Sequence, residues 1–308
     1  MKIIEPKVEL IKQNFVIEDI GNDIERAARI CYASEKKDAN QDAFLNNLWD
    51  KGHQRPFEFG TVYITIDHTP SDIEEQIFKL VMNNHYSHKD VHEYDTLITT
   101  NMRVMINCWE CIYGEHSDSY TRVMKFLKGW YKHHPFHDLR ITFHWTISRG
   151  IADEFRTHTM ISSLMQSTRY CNYNSNKFGN ELTFIRPSWF THTEEELAEP
   201  TQQVTMFENA IRGTWKKIET TYMSCIELGM QAQQARDMLP LGIKTEFIQC
   251  AFECDWDEFF RQRVDGTTGK PHPDALYIAS KAKEQMNNWF FGNQISISDN
   301  IDVKENTL

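Results

Sequence analysis

Residues 151–189 read IADEFRTHTMISSLMQSTRYCNYNSNKFGNELTFIRPSW. The stretch begins acidic and helical, then becomes polar and turn-rich, gathering His158, Ser162, Gln166, Ser167, Arg169 and Tyr170 within a short span. Six hydrogen-bonding side chains flanked by Arg156 and Arg169 suit a phosphate and a polar heterocycle, because a guanidinium fork matches anionic oxygens in pairs. By composition alone, a solvated helix end is the stronger reading of the same residues.

Working outward, Leu139 to Ile147 alternates apolar and polar side chains as a half-buried strand does. Thr61 to Ile66 repeats the pattern, with Val62, Ile64 and Ile66 on one face. Between the two strands, Ser71 and Glu74 form a capping box before a helical stripe of Ile73, Ile77, Leu80 and Val81, and a second helix is expected over Tyr120 to Tyr131. Asn22 to Tyr32 and Asp42 to Trp49 read as amphipathic helices. The longest helical signal runs from about Pro200 to Leu228, ending at Gly229, where a C-terminal cap belongs. Shorter helices are expected at Gln231 to Leu239, Trp256 to Gln262, and Asp274 to about Trp289. No Pro/Gly/Ser linker divides the chain. It therefore reads as a single catalytic domain over 1–292 with an insertion at about 69–138, followed by a polar tail at 293–308.

The chain has 308 residues, 44 Asp and Glu against 33 Lys and Arg, a formal charge of −11 and 40% hydrophobic content, all ordinary for a globular protein. An acidic balance argues against a nucleic-acid binder, and any anionic ligand must meet a local cationic pocket. Seven scattered cysteines and the absence of a secretory apolar run fit a reducing cytoplasm. No stretch approaches the ~18 apolar residues of a membrane span.

Two patterns carry competing readings. His85, His88 and His92 have i, i+3, i+7 spacing, and His133, His134 and His137 cluster beyond them. A metal could be held by such a set, yet polar helix faces produce the same triplets without an ion, and no metal is expected. Cys108 and Cys111 form a CxxC without a second ligand pair or a redox context, which favours buried thiols.

The central stretch resembles the signature of flavin-dependent thymidylate synthases: Arg-His-Arg, seven residues, Ser, one residue, Arg-Tyr. His158, Ser167, Arg169 and Tyr170 stand at matching places. Other matches follow in order: AARICYAS near the N-terminus, GHQRPFEF before the first strand, Arg149-Gly150, ARDMLPLGIKTE after the long helix, and DWDEFFRQR ending at Arg263. The insertion with TTNMRV resembles that of one branch of the family.

The resemblance implies an α+β fold, a central mixed sheet flanked by helices, assembled as a homotetramer with sites between subunits. It implies conversion of dUMP, or a related pyrimidine deoxynucleotide, to dTMP. The one-carbon donor would be methylenetetrahydrofolate, the hydride carrier reduced FAD and the reductant NADPH, with no enzymic cysteine nucleophile. Arg263 matches the arginine that favours ionised N3 of the uracil. Glu154, Phe155, Arg156, Gln166, Ser167, Thr168, Arg169 and Arg236 lie where the family contacts the nucleotide, with Arg169 and Arg236 on the monophosphate. His53 matches a histidine near the flavin and folate path and His158 the centre of the triplet; Arg55, Thr157, Thr159 and His272 complete the cofactor-facing set.

The chain departs from the pattern where the family has cations. Thr157 and Thr159 replace the two arginines of the triplet, Phe252 and Cys254 replace an Asn and an Arg of the flavin-contacting stretch, and Met165 and Gln166 stand near a missing acidic residue. Hydrogen bonds to charged groups are worth about 1.5 to 3 kcal/mol each, so two lost arginine contacts correspond to about 10² to 10⁴ in flavin affinity. Two other readings follow: a diverged hydroxymethylase of pyrimidine deoxynucleotides, and a catalytically inactive nucleotide-binding homologue.

Overall fold

The computed structural model describes residues 1–35, 40–191 and 206–305, with side chains to residue 290. The architecture is α+β. A four-stranded antiparallel sheet in the order β2-β6-β9-β7 is built from β2 (Lys7–Ile11), β6 (Arg140–Ser148), β7 (Ser162–Met165) and β9 (Lys244–Phe252). Among the described residues parallel pairing is confined to β1 (Lys2–Ile4) with β8 (Thr183–Ile185), so the expected mixed sheet is an antiparallel sheet with a parallel pair beside it. A further antiparallel sheet, β3-β5-β4, comprises β3 (Thr61–Ile66), β4 (His88–Val91) and β5 (Thr96–Asn101).

Three apolar clusters hold these layers. The first gathers α1 (Glu18–Tyr32), α2 (Gln41–Asp50), α3 (Asp72–Met82), α4 (Met102–Tyr113) and α5 (Ser119–Leu127) over the β3-β5-β4 sheet, with Ile24, Trp49, Phe57, Phe78, Met105 and Tyr120 buried among them. The capping box of Ser71 and Glu74 is present at the start of α3. The second packs one face of the four-stranded sheet, through Phe143, Trp145, Ile147 and Phe247, against three helices. These are α6 (Arg149–Phe155), α9 (Glu253–Arg263) and α10 (Pro273–Glu305). The third joins β1 and β8 to α7 (Met206–Glu227) and α8 (Ala232–Ala235), around Phe184, Trp215 and Tyr222. Ala27, Phe59, Ile248 and Cys250 seam the first cluster to the opposite face of the sheet.

Several expectations change in detail. The long helix is described from Met206, and the part expected over 200–205 lies outside the described residues. Helix α10 continues through residue 289 to Glu305, so the polar tail is helical in backbone up to that point, and residues 306–308 lie outside the described ones. His88 sits on strand β4 and His92 in the turn after it, so the histidine triplet does not share a helix face. His133 and His137 instead cluster at Tyr63, while His134 turns to Phe136; the His133 ring stands 4.8 Å from that of Tyr63, and His137 Nε2 bonds to Ile64 O at 3.0 Å. Among the described residues no group of three His, Cys, Asp or Glu side chains could hold a metal, and no helix is long and apolar enough to cross a membrane.

Candidate active site

Strand β6 ends where α6 begins, and two backbone bonds fix that corner: Arg149 N to Ile243 O at 2.9 Å and Gly150 N to Leu241 O at 3.0 Å. Ser148 Oγ accepts from Ile151 N at 3.4 Å as the helix cap. Beyond α6 the chain turns through 156–161 into β7, whose Ser163 and Met165 pair with Gln249 and Phe247 of β9. Gln166 N then bonds to Glu246 O at 2.8 Å and Ser167 N to Cys31 O at 2.9 Å, which ties the segment to β9 on one side and to α1 on the other.

These constraints enclose a cavity of about 680 Å³. Its wall includes Arg55 from the first cluster, Arg149, Arg156, Thr157, His158 and Thr159 from the α6 corner, Gln166, Ser167 and Thr168 after β7, and Arg236 after α8. Nine of these residues are ones the sequence singles out, brought together from positions 55 to 236. Arg149, Asp153 and Cys31 also line it, and the sequence reading does not count them as site residues. Arg149 carried a signal in the Arg149-Gly150 match; Cys31 and Asp153 carried none beyond lying in the matched AARICYAS and beside Glu154.

Electrostatically the wall is cationic. Asp153 contacts both Arg156, at 3.0 Å, and Arg149, at 3.7 Å. The 3.0 Å approach is an ion pair and not a directed hydrogen bond, since Asp153 Oδ1 has no hydrogen-bond partner among the described residues. Arg149 Nη1 is likewise buried without one. Among the described residues Arg236 reaches only Asp237, at 3.9 Å.

The remaining sequence-singled residues stand around this wall. Arg263, at the end of α9, donates Nε–H to His158 Nε2 at 3.0 Å, Nη1–H to Glu154 Oε2 at 3.3 Å, and Nη2–H to Glu154 O at 2.9 Å and Thr157 Oγ1 at 3.2 Å. Burial, with the positive charge of Arg263 adding to it, lowers the pKa of His158 to about 4, so the ring is neutral, and its acceptor role at Nε2 puts the proton on Nδ1. Phe155 is fully buried against Trp145 and Phe259, so only its backbone can face a ligand. Arg169 is exposed, its guanidinium carbon 5.6 Å from the centroid of the Tyr170 ring. Tyr170 in turn lies 5.9 Å from Tyr32, whose hydroxyl bonds to His53 Nδ1, placing His53 on a rim next to Cys31. His272 accepts from Asp274 N at 3.2 Å at the start of α10 and is not part of the cavity wall. Of the two flavin-stretch departures, Phe252 is buried under a stacked His88 and Cys254 is exposed at the start of α9.

The profile of the thymidylate synthase complementing protein family matches residues 10–90 and 87–290. No curated relative matches the chain. Among solved structures, a crystal structure of a UMP/dUMP methylase PolB from Streptomyces cacaoi bound with 5-Br UMP is similar at 11% identity over 94% of this chain and 92% of that chain, with a TM-score of 0.43.

Proposed function

The chain belongs to the thymidylate synthase complementing protein family, the flavin-dependent thymidylate synthases, and from that premise we propose that it converts dUMP to dTMP, with methylenetetrahydrofolate as one-carbon donor and reduced FAD as hydride carrier. The observation that carries this reading is the charge of the cavity. In a chain of formal charge −11, Arg55, Arg149, Arg156 and Arg236 converge on one space whose only lining carboxylate, among the described residues, is Asp153. That is the local cationic pocket an acidic protein needs for a nucleotide.

A flavin dinucleotide asks for cations at its diphosphate and for neutral donors and acceptors at its ring. The donor set on the wall answers that demand: Arg55 makes no ion pair among the described residues, and the neutral His158 and Thr159 line the same space. With Arg55, the groups that would hold it are His53, His158 and Thr159. When bound, it supplies the hydride that completes the methyl group, and NADPH restores its reduced state.

The chain's own work is binding and orientation. In this reading Arg236 and Arg149 on the wall, with Arg169 outside it, take the monophosphate, Gln166, Ser167 and Thr168 the base and sugar, and Arg263 negative charge on the pyrimidine. A guanidinium keeps its proton at any working pH and so can favour ionised N3. No covalent nucleophile is prepared. Ser167 Oγ has no histidine or carboxylate partner among the described residues, and burial raises the Cys31 thiol above its ordinary pKa. A homotetramer with sites between subunits is part of the same reading.

The test is a visible spectrum of the purified protein with calorimetry of FAD and dUMP. A yellow protein with saturable binding of both is expected, and absence of both overturns the reading. A second reading is favoured by one observation: the Thr157 hydroxyl donates to Glu154 O at 2.7 Å and accepts from Arg263, which leaves no proton for a flavin. In that case the one-carbon unit would leave as a hydroxymethyl group, taking water in place of a hydride. Mass analysis of the product formed from dUMP and methylenetetrahydrofolate separates the two.

A further inference from the structure

We propose that Thr157 is a positioning residue for Arg263, so that the replacement of a family arginine by threonine converts a cofactor contact into a clamp on the pyrimidine-facing guanidinium. The inference rests on the functional reading above. A guanidinium carries five N–H donors. In this chain four are engaged: Nε on His158, one Nη1–H on the Glu154 carboxylate, and both Nη2–H on Glu154 O and Thr157 Oγ1. One Nη1–H remains for a substrate.

The clamp depends on what stands at residue 157. The Thr157 hydroxyl bridges, donating to Glu154 O at 2.7 Å while accepting from Arg263 at 3.2 Å. Two roles at once require a group that both gives and takes a hydrogen bond. An arginine has no acceptor and would set a second cation against the first. His158 satisfies the same logic, because a neutral ring accepts from Arg263 at Nε2 while a protonated one could not. With Arg263 only 20% exposed and anchored at the far end of α9, these acceptors fix the guanidinium before substrate arrives.

The variants are Thr157→Val, nearly isosteric without the hydroxyl, Thr157→Ser, which restores it, and Thr157→Arg, which restores the family residue. The first readout needs no substrate: phenylglyoxal labelling of Arg263, quantified by peptide mass spectrometry on the full chain. Labelling is expected to be slow in the wild type and in Thr157→Ser and severalfold faster in Thr157→Val and Thr157→Arg. Equal rates in wild type and Thr157→Val overturn the clamp. The second readout is calorimetry with dUMP, where Thr157→Val and Thr157→Arg are expected to bind about tenfold more weakly and Thr157→Ser within about twofold of wild type. Tighter binding of dUMP by Thr157→Arg, or unchanged dUMP affinity in Thr157→Val, overturns the positioning role. If the wild type itself shows no saturable dUMP binding, the functional reading falls, and the labelling rates still decide the clamp.

Discussion

Arg149 buries Nη1 at the cavity without a hydrogen-bond partner among the described residues, so the free protein bears a desolvation cost there that a bound anion would relieve. Arg149→Met is therefore expected to leave thermal stability unchanged or raised while weakening dUMP by about 10- to 150-fold, the value of one charged hydrogen bond, as calorimetry would show. A parallel loss of stability and affinity would place the guanidinium in a structural role instead. Two histidines lose stability in acid, against the opposite contribution of Asp23, whose carboxyl pKa burial raises to about 7 so that it gains stability as pH falls. Burial, with Arg263 for His158 and with His137 and His134 for His133, lowers both from the ordinary 6.5 to about 4. The unfolded chain binds these protons at 6.5 and the folded chain only near 4, so stability present above 6.5 declines as pH falls toward 4 and then levels. Melting temperatures measured across that window should show the decline, and a His133→Phe, His158→Asn double variant should flatten it.

At the scale of elements, Gly60 ends the GHQRPFEFG run because α1 comes within contact of it. A Cβ there would stand 2.7 Å from Ile24 Cδ1. Gly60→Ala should cost about 1 to 3 kcal/mol through overpacking, read from urea unfolding, and a neutral result would mean that α1 can shift without loss. The elements legible in the sequence are those whose period survives in their composition: α1 and α2 with their apolar stripes, α3 with its capping box, β3 and β6 by alternation. Strand β9 was not legible, because nearly every residue from Thr245 to Phe252 is buried on both faces and no alternation remains. Strand β5 hides for a different reason: Thr99, Thr100 and Asn101 are buried polar residues that no hydrophobic count detects. The cavity inherits this division. Residues 156–159 and 166–168 lie in one quoted stretch, but their convergence with Arg55 and Arg236 depends on β9, which supplies Phe247 to the wall and the registers that hold β7.

For the whole molecule, the excess of carboxylates and the cationic cavity act against each other over distance. Nucleotide affinity should fall as salt rises from about 0.05 to 0.5 M, because screening weakens the arginine contacts, though less for the partly buried Arg149 than for exposed Arg236. Titration calorimetry of wild type and Arg236→Gln at two ionic strengths would show a smaller salt slope for the variant. The three apolar clusters meet at this cavity: Arg55 belongs to the body built on α1 to α5, Arg149 to that of the four-stranded sheet, and Arg236 to that of α7 and α8. A ligand held by all three is a keystone. Because each arginine stands on a different cluster, disruption of any one of them releases the ligand, so at a hundredfold excess over Kd it adds about 2.7 kcal/mol to the folded chain. Scanning calorimetry should then show the unfolding of all three clusters moving to higher temperature together as nucleotide is added, and a cluster that melted at an unchanged temperature would not be one that holds the ligand.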